Sequence, residues 1–384
     1  MKPIKLIVLI SLLTTTTCYS AIVESINFIG LKWCKKEFVE REILLKPGEE
    51  FSEELLKKSV RNLLNTHLFY KINPLVKKLK NGNVKITFYV KERFPIIPVP
   101  KFRLKSDGSY KVGIEIRDYN LSGMGNKLFI GYTKWINTEF SQDRYLYFQL
   151  YRLIKQKGSI NGNVYSHEDE SEKTFKISVA SPWFLDREKI HTLTPGTTYL
   201  FLRDKDTNKI KHYFFSFLSY SIDRTTDHVY YTSGTLITFY VKTAIPEISS
   251  TFTGSFVGSY SKQIHTKNVD SWGYSFLSGT NFGNYVFPLS SGIPGYDDSK
   301  SSGKRFLTFS LNYRKAVIDK SVFVKPKLYF GTVFPSRNFL LTPGIEAEIF
   351  WAKLVDGIIK LSFFRGIGSN SSSTQANVKF GFRW

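Results

Sequence analysis

From Pro98 onward, apolar and polar residues trade places one by one in segment after segment, and that alternation leaves few folds open. Tyr110, Val112, Ile114 and Ile116 oppose Lys111, Gly113, Glu115 and Arg117, and Leu146, Phe148 and Leu150 oppose Tyr147, Gln149 and Tyr151. Further on, Leu307, Phe309, Leu311 and Tyr313 oppose Thr308, Ser310, Asn312 and Arg314, while Ile345, Ala347, Ile349 and Trp351 oppose Glu346 and Glu348. Successive strand side chains point to opposite faces, so each segment reads as a strand with one oily and one wet side. A single such segment means little, but its repetition across some two-thirds of the chain excludes a helical domain. The last segment puts Val378, Phe380, Phe382 and Trp384 on one face and Asn377, Lys379, Gly381 and Arg383 on the other. In a soluble sheet so apolar an edge invites aggregation, and closure into a membrane barrel removes the edge.

The expected fold is therefore a transmembrane antiparallel β-barrel over residues 94–384 preceded by a small α/β domain over 21–93. Spanning strands need about 9–11 residues each, so about sixteen fit and fourteen also fit. The polar stretches Lys155 to Lys173 and Gly283 to Lys304 are expected as extracellular loops, and Asp204 to Asn208 as a turn. Lys2 and Lys5 ahead of the apolar run Leu6 to Leu13, with small residues around Ser20, predict a signal peptide over 1–20 and a mature start at Ala21. That leaves Cys34 as a lone cysteine, expected to be a small buried residue.

Function classes fall away in turn. The six histidines have no ligand spacing, and neither a Gly-x-Ser-x-Gly elbow nor a Walker loop is present, so no metal, cofactor or catalytic centre is expected. A net charge of +22 would ordinarily raise nucleic acid, but the basic residues are spread along an exported chain, and lipid headgroups are the better counterpart. Aromatics at 16% suit lipid-facing girdles.

Ahead of the barrel, Ile22 to Ile29 reads as a strand, Lys36 to Leu45 and Ser52 to Leu68 carry helical spacing, and Leu75 to Lys80, Asn81-Gly82 and Val84 to Val90 form a hairpin. Ile26 to Leu31, Leu45-Lys46-Pro47-Gly48, Leu68 to Ile72 and Val90-Lys91-Glu92-Arg93 resemble the pattern of a POTRA (polypeptide-transport-associated) domain. The resemblance implies an open sheet edge that pairs with extended client segments, at Lys71 to Lys80 or Ile22 to Phe28.

The barrel is similar to the bacterial surface antigen family, whose best-known members are BamA and TamA. Asn120-Leu121-Ser122-Gly123-Met124-Gly125-Asn126 resembles the family's Asn-Leu-x-Gly-x-Gly turn, and Ser291 to Tyr296, with Gly292, Pro294, Gly295 and Tyr296, sits where members carry Gly-x-Arg-Gly-Phe/Tyr on a loop folded into the lumen. Two departures stand out: Pro294 replaces the arginine, and Tyr329 falls where its aspartate partner aligns. Losing both members of a buried pair can be nearly neutral, so the loop is expected either to dock through Tyr296 and backbone bonds or to remain a free extracellular segment. Pro95, Pro98 and Pro100 lack backbone donors, so the first barrel strand cannot make a full ladder with the last, and the seam is expected to involve Phe102, Phe380, Gly381, Phe382 and Trp384.

The resemblance implies an assembly factor or translocase of the bacterial outer membrane with its POTRA domain in the periplasm. Its expected partners are unfolded outer-membrane or secreted polypeptides, membrane lipid and accessory envelope lipoproteins, with no nucleic acid. A passive pore and a dedicated two-partner secretion transporter are the alternatives.

Overall fold

The computed structural model describes residues 21–104, 110–136, 141–154, 157–284, 286–287, 289–296, 301–354, 358–368 and 374–380. The signal segment and Gly381, Phe382 and Trp384 of the expected seam lie outside the described residues.

The amino-terminal domain runs β1 (Val23–Ile29), α1 (Lys36–Glu42), α2 (Glu53–Asn65), β2 (Phe69–Lys78) and β3 (Val84–Glu92). Ser52 caps α2, its hydroxyl accepting from Leu55 N–H, and α2 turns Leu56, Ser59, Asn62 and Leu63 inward at helical spacing. β3 is central, parallel to β1 and antiparallel to β2. Its alternate residues Val84, Ile86, Phe88 and Val90 pack with Phe38, Val39 and Leu63 into one core. Both outer strands are edges of this sheet. The start of β1, however, is already bonded to the 48–51 segment, through Val23 N–H to Glu49 O and Gly48 N–H to Val23 O. β2 carries Pro74 within its ladder, opposite Phe88, which removes one donor from its outer edge.

The rest forms one closed antiparallel ring. The large sheet has eighteen members, of which Trp183–Phe184 and Thr226–Asp227 are only two residues long; the other sixteen are the barrel. Fourteen is thereby excluded. The first barrel strand, β4 (Ile96–Leu104), pairs along its whole length with β5 (Tyr110–Leu121), and the last, Thr374–Phe380, returns to β4 to close the ring. Outward positions carry Ile114, Ile116, Ile130, Phe276, Leu307, Leu328, Ile345, Ile349 and Leu361, all exposed. Inward positions carry buried Glu115, Arg117, Asp143, Arg314, Lys325, Glu346, Glu348 and Lys360. This inverts a soluble protein and matches a barrel with lipid outside and a polar lumen.

Lys155 to Lys173 is not an extracellular loop. Gly158–Asp169 is a strand paired with Ser141–Ile154 on one side and Glu172–Ala180 on the other. Its outward positions include Gly162, Ser166 and Glu168, so the oily face that marks other strands is diluted here. Gly283 to Lys304 does connect two strands, and its described residues 289–296 fold against the inner wall.

Candidate functional site: seam, lumenal loop and docked domain

Among the described residues, the seam is the least paired joint in the ring. Among the described residues β4 and the last strand share three pairs, Ala376 with Leu104, Asn377 with Arg103 and Val378 with Phe102, whereas every other long neighbour pairs over at least seven. Among the described residues, pairing stops at Phe102, two positions short of Pro100. A proline is tolerated inside a ladder with its nitrogen turned away, so the donors missing at Pro98 and Pro100 fall on the seam edge while their pairing with Ile116 and Ile114 of β5 persists. Phe102 faces outward and is 43% exposed.

Residues 289–296 dock on the inner wall. Ile293 and Tyr296 are buried with Phe306, Val333 and Leu340, and Tyr329 and Leu277 pack alongside. The Tyr296 hydroxyl lies 2.8 Å from the carbonyl oxygens of both Leu341 and Ile367 and accepts the Leu341 N–H at 2.7 Å. Thr342 Oγ1 donates to the Pro294 carbonyl at 2.7 Å. Gly295 and Gly366 meet backbone to backbone, since a Cβ at 295 would lie 2.6 Å from Gly366 N. Hence the free-segment alternative does not describe this loop. Aromatic packing and backbone bonds occupy the place of the family's ion pair, and Tyr329 stacks edge-on against Phe364 at 5.7 Å. Phe287, on the same connection, packs against Tyr213 and Phe215 of the strand Ile210–Asp223, five barrel strands round the ring from Val322–Phe334. The connection therefore packs on two separate stretches of the ring. Replacing Tyr296 by Phe removes the acceptor for a buried N–H and is expected to cost about 1–3 kcal/mol in unfolding, with faster proteolysis within the loop.

Lower on the same wall, Glu348 Oε2 accepts from Arg314 Nε at 2.6 Å and faces Lys325 and Lys360 at 3.9 and 3.8 Å, while Lys327 pairs with Glu346 at 3.0 Å. Arg314 also donates to the Tyr230 carbonyl and lies over the Phe323 ring. The alternation did not single out this network, although four inward cations beside Glu346 and Glu348 were its signal.

The amino-terminal domain lies across one mouth of the barrel, and the Asn120 turn is its socket. Asn120 Nδ2 donates to the Trp33 carbonyl at 3.0 Å, Asn120 Oδ1 accepts from Gly125 N–H at 2.8 Å, and Lys35 N–H donates to the Gly123 carbonyl at 2.9 Å. Gly125 has φ +72°, and a Cβ there would meet Phe38 Cε2 at 2.5 Å. Phe38 is 1% exposed and has nowhere to go. Gly125→Ala is therefore expected to destabilise the joint by about 2–4 kcal/mol, read as easier denaturant-induced undocking.

Further round the rim, Glu42 of α1 is fully buried between Arg152, 3.0 Å away, and Lys189, whose ammonium it also bonds. Arg61 and Asn65 of α2 donate to the Thr225 carbonyl, His67 contacts Asp227, and Lys58 meets Glu188 at 2.6 Å. Leu64 and Tyr70 pack against Val229, Val269, Phe323 and Phe350. Phe94 N–H donates to the Lys353 carbonyl at 2.8 Å. These partners come from turns all around the mouth. Sequence reasoning missed the docking, though a glutamate sharing the buried face of α1 with Phe38 and Val39 was a signal.

Comparison with known proteins fits this architecture. Residues 21–93 match the POTRA family model, described as a surface antigen variable number repeat. Residues 21–93 are a POTRA domain. BamA from Haemophilus ducreyi lacking POTRA domains 1–3 superposes with a TM-score of 0.55 at 14% identity, covering 94% of this chain and 85% of that one. CdiB from Acinetobacter baumannii gives 0.64 at 11%, covering 94% and 74%, and CdiB from Escherichia coli 0.54 at 10%, covering 100% and 93%. No match was found among curated proteins. The chain thus has the BamA-like fold, one POTRA domain ahead of an outer-membrane-type barrel.

Proposed function

We propose that this chain is a single-POTRA assembly factor or polypeptide translocase of the bacterial outer membrane, with its POTRA domain in the periplasm. The observation that carries the reading is the short seam, three pairs among the described residues, with none at Lys101 or Pro100. A client strand arriving in lipid carries unpaired backbone groups that cost several kcal/mol each, and pairing with the freed edge of β4 relieves them. Strand exchange of this kind needs neither nucleotide turnover nor covalent chemistry. The outer edges of β1 and β2 offer a first pairing site for extended clients, with β2 limited at Pro74. Accessory lipoproteins and membrane lipid belong to the same proposal.

Cysteines placed at Phe102 and Phe380 test the reading. Crosslinks from these positions to nascent barrel chains are expected, and crosslinks to none in cells assembling many barrels would end it. A dedicated two-partner secretion transporter is the second reading, favoured by the likeness to CdiB along the whole chain. The two part on deletion of residues 21–93: lower levels of many barrels support an assembly factor, whereas loss of one secreted protein supports the transporter. A passive pore is disfavoured by a domain lying across one mouth and a loop packed against two stretches of the inner wall.

A further inference from the structure

The loop between β1 and α1 reads Lys32-Trp33-Cys34-Lys35 just ahead of Lys36, the first residue of α1, and its aromatic residue is held outward. Trp33 is 49% exposed, although its N–H donates to Glu92 Oε2 at 2.6 Å and its carbonyl accepts from Asn120 Nδ2 at 3.0 Å. Lys32 and Cys34 also donate their N–H groups to the Glu92 carboxylate. With the backbone pinned on both sides, the exposure is a fixed display rather than looseness.

The ring meets Phe94 edge-on at 5.5 Å, and Phe94, itself exposed, leads directly into outward-facing Ile96 of β4. Trp351, 65% exposed, stands just before Lys353, whose carbonyl holds Phe94. Trp33, Phe94 and Trp351 therefore continue the apolar belt of the barrel by a short step beyond its edge. Phe94 precedes Ile96 by two residues, about 7 Å of extended chain, which is headgroup depth. Lys32, Lys35 and Lys353 are exposed and make no ion pair among the described residues, whereas Lys36 is matched by Glu40 at 3.3 Å. Aromatics at the headgroup level flanked by unpaired lysines suit one surface, a bilayer leaflet bearing anionic phospholipid.

We propose that the Lys32–Lys35 loop is an interfacial anchor: Trp33 and Phe94 lodge in the leaflet beside the foot of β4, and Lys32, Lys35 and Lys353 engage anionic phospholipid headgroups. The inference rests on the barrel being embedded in a bilayer and does not require the seam to admit a client. It makes the POTRA domain a second point of membrane attachment next to the seam.

The test uses the chain from Ala21 reconstituted in phosphatidylglycerol-containing vesicles, with an environment-sensitive fluorophore on W33C or, as a control at the far hairpin tip, on K80C. Cys34 stays unlabelled, because it is buried and its thiol is pushed well up by that burial and by the Glu92 carboxylate beside it. At position 33 a blue-shifted emission, quenched severalfold by brominated phospholipid, is expected; at position 80 a water-like emission without quenching. Replacing Lys32, Lys35 and Lys353 by Gln, or using phosphatidylcholine alone, is expected to weaken the signal at 33 severalfold. Water-like emission at 33 in a barrel that protease digestion shows to be inserted overturns the anchor and leaves the barrel reading intact. A barrel that never becomes protease-protected overturns both. Quenching indifferent to vesicle charge and to the lysine changes overturns the headgroup assignment.

Discussion

A disulfide between F102C and V378C is expected to leave the barrel folded and to reduce client transfer at least tenfold, with activity restored by reductant. The two residues are direct partners across the seam, and opposed residues in an antiparallel pair lie close enough for a disulfide. Among the described residues, opening an unstapled seam breaks three pairs, while any other joint between long strands breaks at least seven. The control staples the same strand on its other side, F102C with V112C, which pair across β4 and β5. That control should transfer clients at the unstapled rate. Full activity in an oxidised seam staple, measured as insertion of a barrel client into vesicles, would remove the seam from the mechanism.

The second large effect concerns Glu42. Its carboxylate is fully buried between Arg152 and Lys189, and Tyr151 bonds the same lysine at 2.8 Å. Removing one partner of a buried ionic cluster leaves the others uncompensated, at about 3–5 kcal/mol, a large share of ordinary domain stability. Glu42→Ala is therefore expected to shift the POTRA domain from docked toward free. Distances between spin labels on α2 and on the barrel should broaden, and single-channel conductance should rise. Glu40→Ala, which removes only an exposed pair with Lys36, should do neither. A Glu42→Ala chain with wild-type distances would show that the remaining rim contacts alone hold the domain.

The barrel was legible wherever outward and inward residues differ in kind. Leu307 to Arg314 and Ile345 to Ile349 separate oily from polar positions cleanly, and the structure turns the first set to lipid and the second to the lumen. The reading failed at Gly158–Asp169, because a strand whose outward side includes glycine, serine and glutamate shows no period to count. Asn81-Gly82 and the Ser52 cap were readable because turns and caps are local chemistry. The docked domain was not, since Glu42 and Arg152 meet across 110 positions and leave no trace in any window. At the Asn120 turn, resemblance marked the glycines as notable. Only the geometry explains Gly125, which takes a left-handed backbone against the face of a buried phenylalanine.

β3 ends at Glu92 and β4 begins at Ile96, so only Arg93, Phe94 and Pro95 separate the middle strand of the POTRA sheet from the first stave of the barrel. Arg93 is buried, and Phe94 is fastened to Lys353, so this link behaves as a stiff crank rather than a slack tether. Any tilt of the small domain is thereby delivered as torque to the one stave that its neighbour grips least.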